Sequence, residues 1–194
     1  VQAYLATITF VDDQVGRLLD TLEATSQDDN TIVVLTSDNG YHVGEKDCIQ
    51  KWHLWDESTR IPLLVHVPGC SQNGQICTQP VSHIDLYPTL IDFCNLPKEP
   101  HRGKDMQLDG HSLRPFFEEE DGQDWTGPSV ALTAIRDGQE IPHFSVRSGQ
   151  YRYTRCANGE EEFYDHDVLP PFVHSWGRSD RCRSQWHRYG LVGH

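Results

Sequence analysis

Apolar residues at Tyr4, Leu5, Ile8, Val11, Val15, Leu18, Leu19 and Leu22 recur at steps of three and four, which predicts one long amphipathic helix lying on a sheet. Asp12 and Asp13 fall off that stripe and read as a solvated face. The polar cluster Ser26 to Asn30 ends the period. It leads into Thr31 to Thr36 (TIVVLT), whose core Ile32 to Leu35 is apolar on both faces, as in a buried parallel strand. Ile61 to Val67 (IPLLVHV), closed by Pro68-Gly69, predicts a second buried strand. From Ser82 the helical period returns through Ile84, Leu86, Tyr87, Leu90, Ile91 and Phe93, with Asp85 as the acceptor at the helix start and Pro88 in the opening turn.

Residues 98–127 are rich in Pro, Gly and acid and read as a connecting segment with one helical phrase from Ser112 to Phe117. Beyond it, Val130 to Ile135, His143 to Arg147, Gln150 to Cys156 and Glu161 to Tyr164 are strand-like. Asn158-Gly159 marks a hairpin between the last two. The pattern divides the chain into an α/β part (1–127), a small antiparallel unit (128–168) and a divergent tail (169–194).

Charge sets that tail apart. Arg178, Arg181, Arg183 and Arg188 against Asp180 give Phe172 to His194 a charge of +3, while the whole chain carries -13, leaving -16 for the rest. A basic end of this kind reads as a disordered terminus or an out-of-frame stretch before it reads as an anion-binding arm. The acidic body argues against nucleic acid or an anionic membrane surface as a general partner. No run of 18 apolar residues and no signal-like opening is visible, so no membrane span is expected. The first helix opens without a cap, which leaves the true start open upstream. Six cysteines without Cys-x-x-Cys spacing speak against a structural zinc site and are compatible with disulfides or with buried thiols.

Chemistry concentrates after the first strand, where Asp38 and Asn39 precede Gly40. A carboxylate next to an amide carbonyl supplies two hard oxygen ligands with one negative charge, which suits Ca²⁺ or Mg²⁺. The same tripeptide also makes ordinary turns. Lys51 follows closely, and His42 and His53 flank it as candidates for substrate hydrogen bonding or leaving-group protonation, or for packing. Glu57 and Arg60 suggest a local ion pair.

The stretches TSDNGYHVGEK (Thr36 to Lys46) and KWHLWDESTRIPL (Lys51 to Leu63) resemble the sulfatase family of the alkaline-phosphatase superfamily, especially its iduronate-2-sulfatase-like and choline-sulfatase-like members. The resemblance extends through Phe10-Val11-Asp12, Asn30 to Val34, Asp85 to Leu90, Asp109 to Leu113 and Tyr151-Arg152-Tyr153, and covers about residues 1 to 168. It implies an alkaline-phosphatase-like α/β sandwich with a mostly parallel sheet plus the small C-terminal antiparallel unit. It further implies Asp38 and Asn39 as metal ligands, usually for calcium, and Lys51 as the catalytic lysine that contacts the sulfate near the leaving oxygen. The substrate would be a sulfated carbohydrate or a small sulfate ester, in a periplasmic, secreted or lysosomal-type compartment.

The family's nucleophile is a formylglycine made from the first residue of Cys/Ser-x-Pro-x-Arg, and no cysteine or serine of this chain begins that signature. The aspartate pair of the family's first strand is absent as well. The resemblance is therefore to the C-terminal portion of a sulfatase, and the polypeptide by itself is expected to turn over nothing until a missing N-terminal half completes the site. Two alternatives stay open: a phosphodiesterase or phosphonate hydrolase of the same superfamily, and a non-catalytic remnant that binds sulfated glycans.

Overall fold

A computed structural model describes residues 1–70, 74–97, 107–118, 122, 124–136, 138 and 140–167. The basic tail beyond residue 168 lies outside these residues. The first apolar stripe forms helix α1, Gln2–Ala24, as its period predicts. Strand β1, Val33–Thr36, pairs with β2, Leu63–His66, and the intervening segment carries the short helix α2, Asp56–Thr59. A 3-10 turn at His83–Asp85 runs into α3, Leu86–Phe93, and a further short helix, α4, spans Pro115–Glu118. Four strands close the described fold: β3 Ala131–Ile135, β4 His143–Arg147, β5 Tyr151–Arg155 and β6 Glu161–Asp165.

Two expectations change. Val33 pairs with His66 and Thr36 with Leu63, so β1 and β2 run antiparallel, and every strand pair among the described residues is antiparallel. An apolar run carries no information about the direction of its neighbour, which is why the parallel reading of these two strands failed, and the burial expected of them is not met either: Leu35 and Leu64 are 39% and 57% exposed. The stripe of α1 is also uncovered within this chain: none of its residues is buried, and Phe10 and Leu18 are 67% and 71% exposed. A two-stranded sheet offers too little surface to cover a helix of 23 residues.

The C-terminal unit is a meander in the order β3-β4-β5-β6. Its last turn is the one Asn158-Gly159 predicts: Gly159 takes φ +87, a left-handed geometry that glycine adopts without a Cβ clash, and Cys156 N donates to Glu160 O at 2.7 Å. Among the described residues the buried apolar side chains are few: Cys48, Leu54, Ile91, Leu113 and Cys156. Cys48, Cys70, Cys77 and Cys94 are free thiols.

Candidate active site

The end of β1 is fixed from three sides. Thr36 Oγ1 donates to Pro62 O at 3.0 Å and lies 3.0 Å from His83 Nε2, while Ser37 Oγ donates to Asn39 O at 2.7 Å. Asn39 Nδ2 donates to Gly40 O at 3.0 Å. Asp38 is exposed. By donor type, a carboxylate and an amide oxygen on successive residues at the strand end suit a divalent cation of the calcium class, for which they would be two of roughly six to eight ligands. Among the described residues no cluster of three or more His, Cys, Asp or Glu is arranged to hold a metal, so the remaining ligands would come from elsewhere.

Gly40 joins this turn to the segment after Lys51. Its N donates to Ser58 O at 2.9 Å, and a Cβ at this position would stand 2.0 Å from Glu57 O. Because the obstacle is backbone, no rotamer change relieves it. Gly40→Ala is expected to cost about 2 kcal/mol and lower the midpoint of thermal unfolding, read by circular dichroism, by about 4–8 °C. An unchanged midpoint would mean that the two segments do not pack this closely.

Between these points the chain folds back on itself, with His42 N donating to Gln50 O at 2.9 Å and Gly44 N donating to Cys48 O at 2.9 Å. Gly44, Lys46 and Asp47 all take positive φ to make the reversal. The closure brings Gln50 beside His42, and Lys51, which follows it, is exposed.

The two histidines, candidates for substrate contact or for packing, are packed inside the loop. His42 is fully buried and His53 is 3% exposed, so in this arrangement both lie beneath the loop surface. His53 stacks on Trp55 with ring centroids 5.0 Å apart, His42 packs edge-on against both, and Cys48 Sγ lies 2.9 Å from His53 Nε2. Burial lowers the pKa of His53 to about 4, with the charges of His42 and Lys46 adding to the shift. Burial also lowers that of His42, against the opposing pull of Glu57. Glu57 Oε2 sits 3.9 Å from His42 Nδ1, and among the described residues it forms no ion pair with Arg60. Burial raises the Cys48 thiol, which stays protonated and can donate to a neutral His53.

The C-terminal sheet reaches into the same loop through residues that sequence patterning did not single out. Arg152 on β5 donates from Nη1 to Leu54 O at 2.7 Å and to Ser145 Oγ at 2.9 Å, and from Nη2 to Asp56 Oδ1. Asp56 also faces Arg147 at 3.6 Å and His166 at 3.2 Å. Nearby, Lys46 Nζ bonds Tyr164 Oη and lies over the Trp55 ring, 4.3 Å from its centroid, while Glu162 Oε2 accepts from Trp55 Nε1 at 2.8 Å and from Tyr164 Oη at 2.6 Å. Both partners of this contact lie in segments that carry the family resemblance, Asp56 in Lys51 to Leu63 and Arg152 in Tyr151-Arg152-Tyr153, but no pattern in the sequence pairs them.

Residues 1–96 match the sulfatase family model. A sulfatase of Formosa agariphila is 34% identical over 170 residues, covering 88% of this chain and 31% of that protein. The choline-sulfatase of Rhizobium meliloti is 31% identical over 169 residues, covering 87% and 31%. The chain thus spans about a third of the length of the curated relatives it matches. Among solved structures, BT4656 in complex with its substrate D-glucosamine-2-N,6-O-disulfate superposes with a TM-score of 0.76 at 28% identity, over 97% of this chain and 38% of that one. The phosphonate monoester hydrolase of Agrobacterium radiobacter shares the fold with a TM-score of 0.72 at 24% identity, over 94% of this chain and 38% of that one. With its α/β fold shared by these enzymes and its Asp38-Asn39 turn and Lys51 in the matched segment, the chain belongs to the sulfatase family.

Proposed function

We propose that the chain forms the cation- and sulfate-facing portion of a sulfuric ester hydrolase acting on a sulfated sugar. The observation that supports this reading is that the exposed Asp38, its neighbour Asn39 and the exposed Lys51 all fall in the segment that matches the sulfatase family model. The sulfated glucosamine bound by one structural neighbour supports the substrate class. Cleavage of a sulfate ester builds negative charge on the departing oxygen. An ammonium held close to that oxygen lowers the energy of the developing charge.

Asp38 and Asn39 would hold a calcium ion, which supplies positive charge at the sulfate oxygens when bound. The Lys51 ammonium would bind and orient the sulfate group and stabilise the leaving oxygen. The nucleophile and the other carboxylates would come from outside these residues, as the formylglycine signature is absent from them.

Nuclear magnetic resonance titration tests the assignment. Ca²⁺ is expected to shift the Asp38 and Asn39 amides in the wild-type chain and to leave the same region unmoved in Asp38→Ala. Sulfated N-acetylglucosamine is expected to shift Lys51 where the unsulfated sugar does not. Equal response to both sugars, or titration unchanged by Lys51→Ala, would overturn the sulfate reading, and a preference for a methylphosphonate ester would favour the phosphonate hydrolase alternative.

A further inference from the structure

Lys51 is flanked by two fixed points. Before it, the reversal from His42 to Gln50 is closed by backbone hydrogen bonds. After it, Leu54 O and the Asp56 carboxylate are both gripped by Arg152. The residue between them, Trp52, takes φ +80, a conformation that a bulky side chain enters only when its surroundings impose it. The second fixed point belongs to the C-terminal sheet. Arg152 is 3% exposed, and Ser145 and Thr154 beneath it are equally buried, with Thr154 Oγ1 donating to Ser145 Oγ at 3.1 Å. A guanidinium buried this deeply and shared between a backbone carbonyl and a carboxylate fixes the distance between sheet and loop as a surface ion pair does not.

Resting on the reading of Lys51 as the sulfate-facing cation, we propose that Arg152 and Asp56 are positioning residues: the C-terminal sheet, through this pair, sets where the Lys51 ammonium stands. Lys46 on Trp55 and Tyr164 forms an auxiliary hold on the same loop. Neither Arg152 nor Asp56 touches the substrate in this scheme. Their contribution is to the placement of a charge, and a displacement of about 1 Å at such a group is enough to weaken its action strongly.

The test uses the whole chain labelled at its four lysines, with the Lys51 signal identified by its loss in Lys51→Ala. Inorganic sulfate is titrated at constant ionic strength made up with chloride. Arg152→Met and Asp56→Asn are each expected to weaken the sulfate-dependent shift of Lys51 about tenfold. Arg152→Lys is expected to recover only part of that, because a point ammonium cannot hold Leu54 O and Asp56 together. In the Lys51→Ala background Asp56→Asn is expected to cause no further loss of sulfate affinity, a coupling that a merely structural role would not produce. Wild-type affinity in both anchor variants, or additive losses in the cycle, would overturn the proposal. Wild-type affinity in Lys51→Ala would instead overturn the reading of Lys51 on which it rests. If Arg152→Met does not fold, Tyr164→Phe keeps the ion pair and removes the auxiliary hold. It is expected to weaken sulfate binding about threefold, and no change there, together with unaltered binding in Asp56→Asn, would likewise overturn the proposal.

Discussion

An Asp85→Ala chain is expected to lose about 3–5 kcal/mol of stability and to melt roughly 10 °C below the parent protein. Asp85 is 4% exposed, and its two oxygens are both committed: Oδ2 accepts from Ser82 N at 2.8 Å and Oδ1 from His111 N at 2.9 Å. Its carbonyl accepts from Thr89 Oγ1 at 2.6 Å, and that hydroxyl in turn accepts from Leu113 N at 2.8 Å. Truncation strands two amide donors in a region with little water, and a buried donor left unpaired costs more than the bond itself contributed. Asp85→Asn keeps one acceptor and one wrongly placed donor, so about half the loss is expected there. The consequence reaches the site. His83, in the same 3-10 turn, contacts Thr36 Oγ1 at the end of β1, so the alanine variant is also expected to shift the amides of Asp38 and Asn39. Melting curves for the three chains check the first effect, and an unaltered midpoint for Asp85→Ala would refute the structural role.

That role was legible in the sequence, because Ser82-x-x-Asp85 ahead of an apolar period is a helix-start signature, and both halves of the capping box are present. The hairpin at Asn158-Gly159 was legible for a similar reason: local backbone geometry dictates the residue type. The direction of β1 was not, since pairing with β2 is decided 26 residues away, from Thr36 to Pro62, and leaves no local mark. Strand β5 shows a sharper failure of patterning. Hydrophobic alternation would turn Tyr151 and Tyr153 inward, yet they are 41% and 37% exposed, while Arg152 and Thr154 are buried. The inward face of that strand is selected by the Asp56 carboxylate and the Leu54 carbonyl, partners roughly a hundred residues distant in sequence that no periodicity encodes. In the site, Asp38 and Asn39 could be proposed as oxygen ligands from residue type, and Lys51 from the resemblance of its segment to the sulfatase family. The burial of His42 and His53 could not, because a loop histidine looks the same whether its ring points to solvent or into a pocket formed by Trp55 and Cys48.

The buried histidines make the loop acid-labile, and the sign follows from their lowered pKa values. In the unfolded chain His53 takes up a proton near its ordinary pKa of 6.5, whereas in the folded chain it resists protonation until about pH 4. Between those values the unfolded state binds the extra proton, so stability is fully present above pH 6.5 and is lost as pH falls toward 4. For a ring 3% exposed this amounts to about 2 kcal/mol by pH 5 and about 3 kcal/mol by pH 4. His42, shifted in the same direction by burial, adds to the loss. Glu57 and Glu45 favour the charged form of His42 and moderate its share, while the Lys46 ammonium opposes protonation of both rings. The loop that carries Lys51 is therefore expected to open as the pH falls toward 4. Hydrogen exchange of the Cys48 to Leu54 amides, measured from pH 7 to pH 5 and corrected for intrinsic exchange, is expected to accelerate about thirtyfold, the equivalent of that 2 kcal/mol. In His53→Gln, which keeps a neutral hydrogen-bonding group beside Cys48, most of this pH dependence is expected to vanish even if the loop is less protected at pH 7. A slope identical in the two proteins would show that His53 is not the group whose protonation opens the loop.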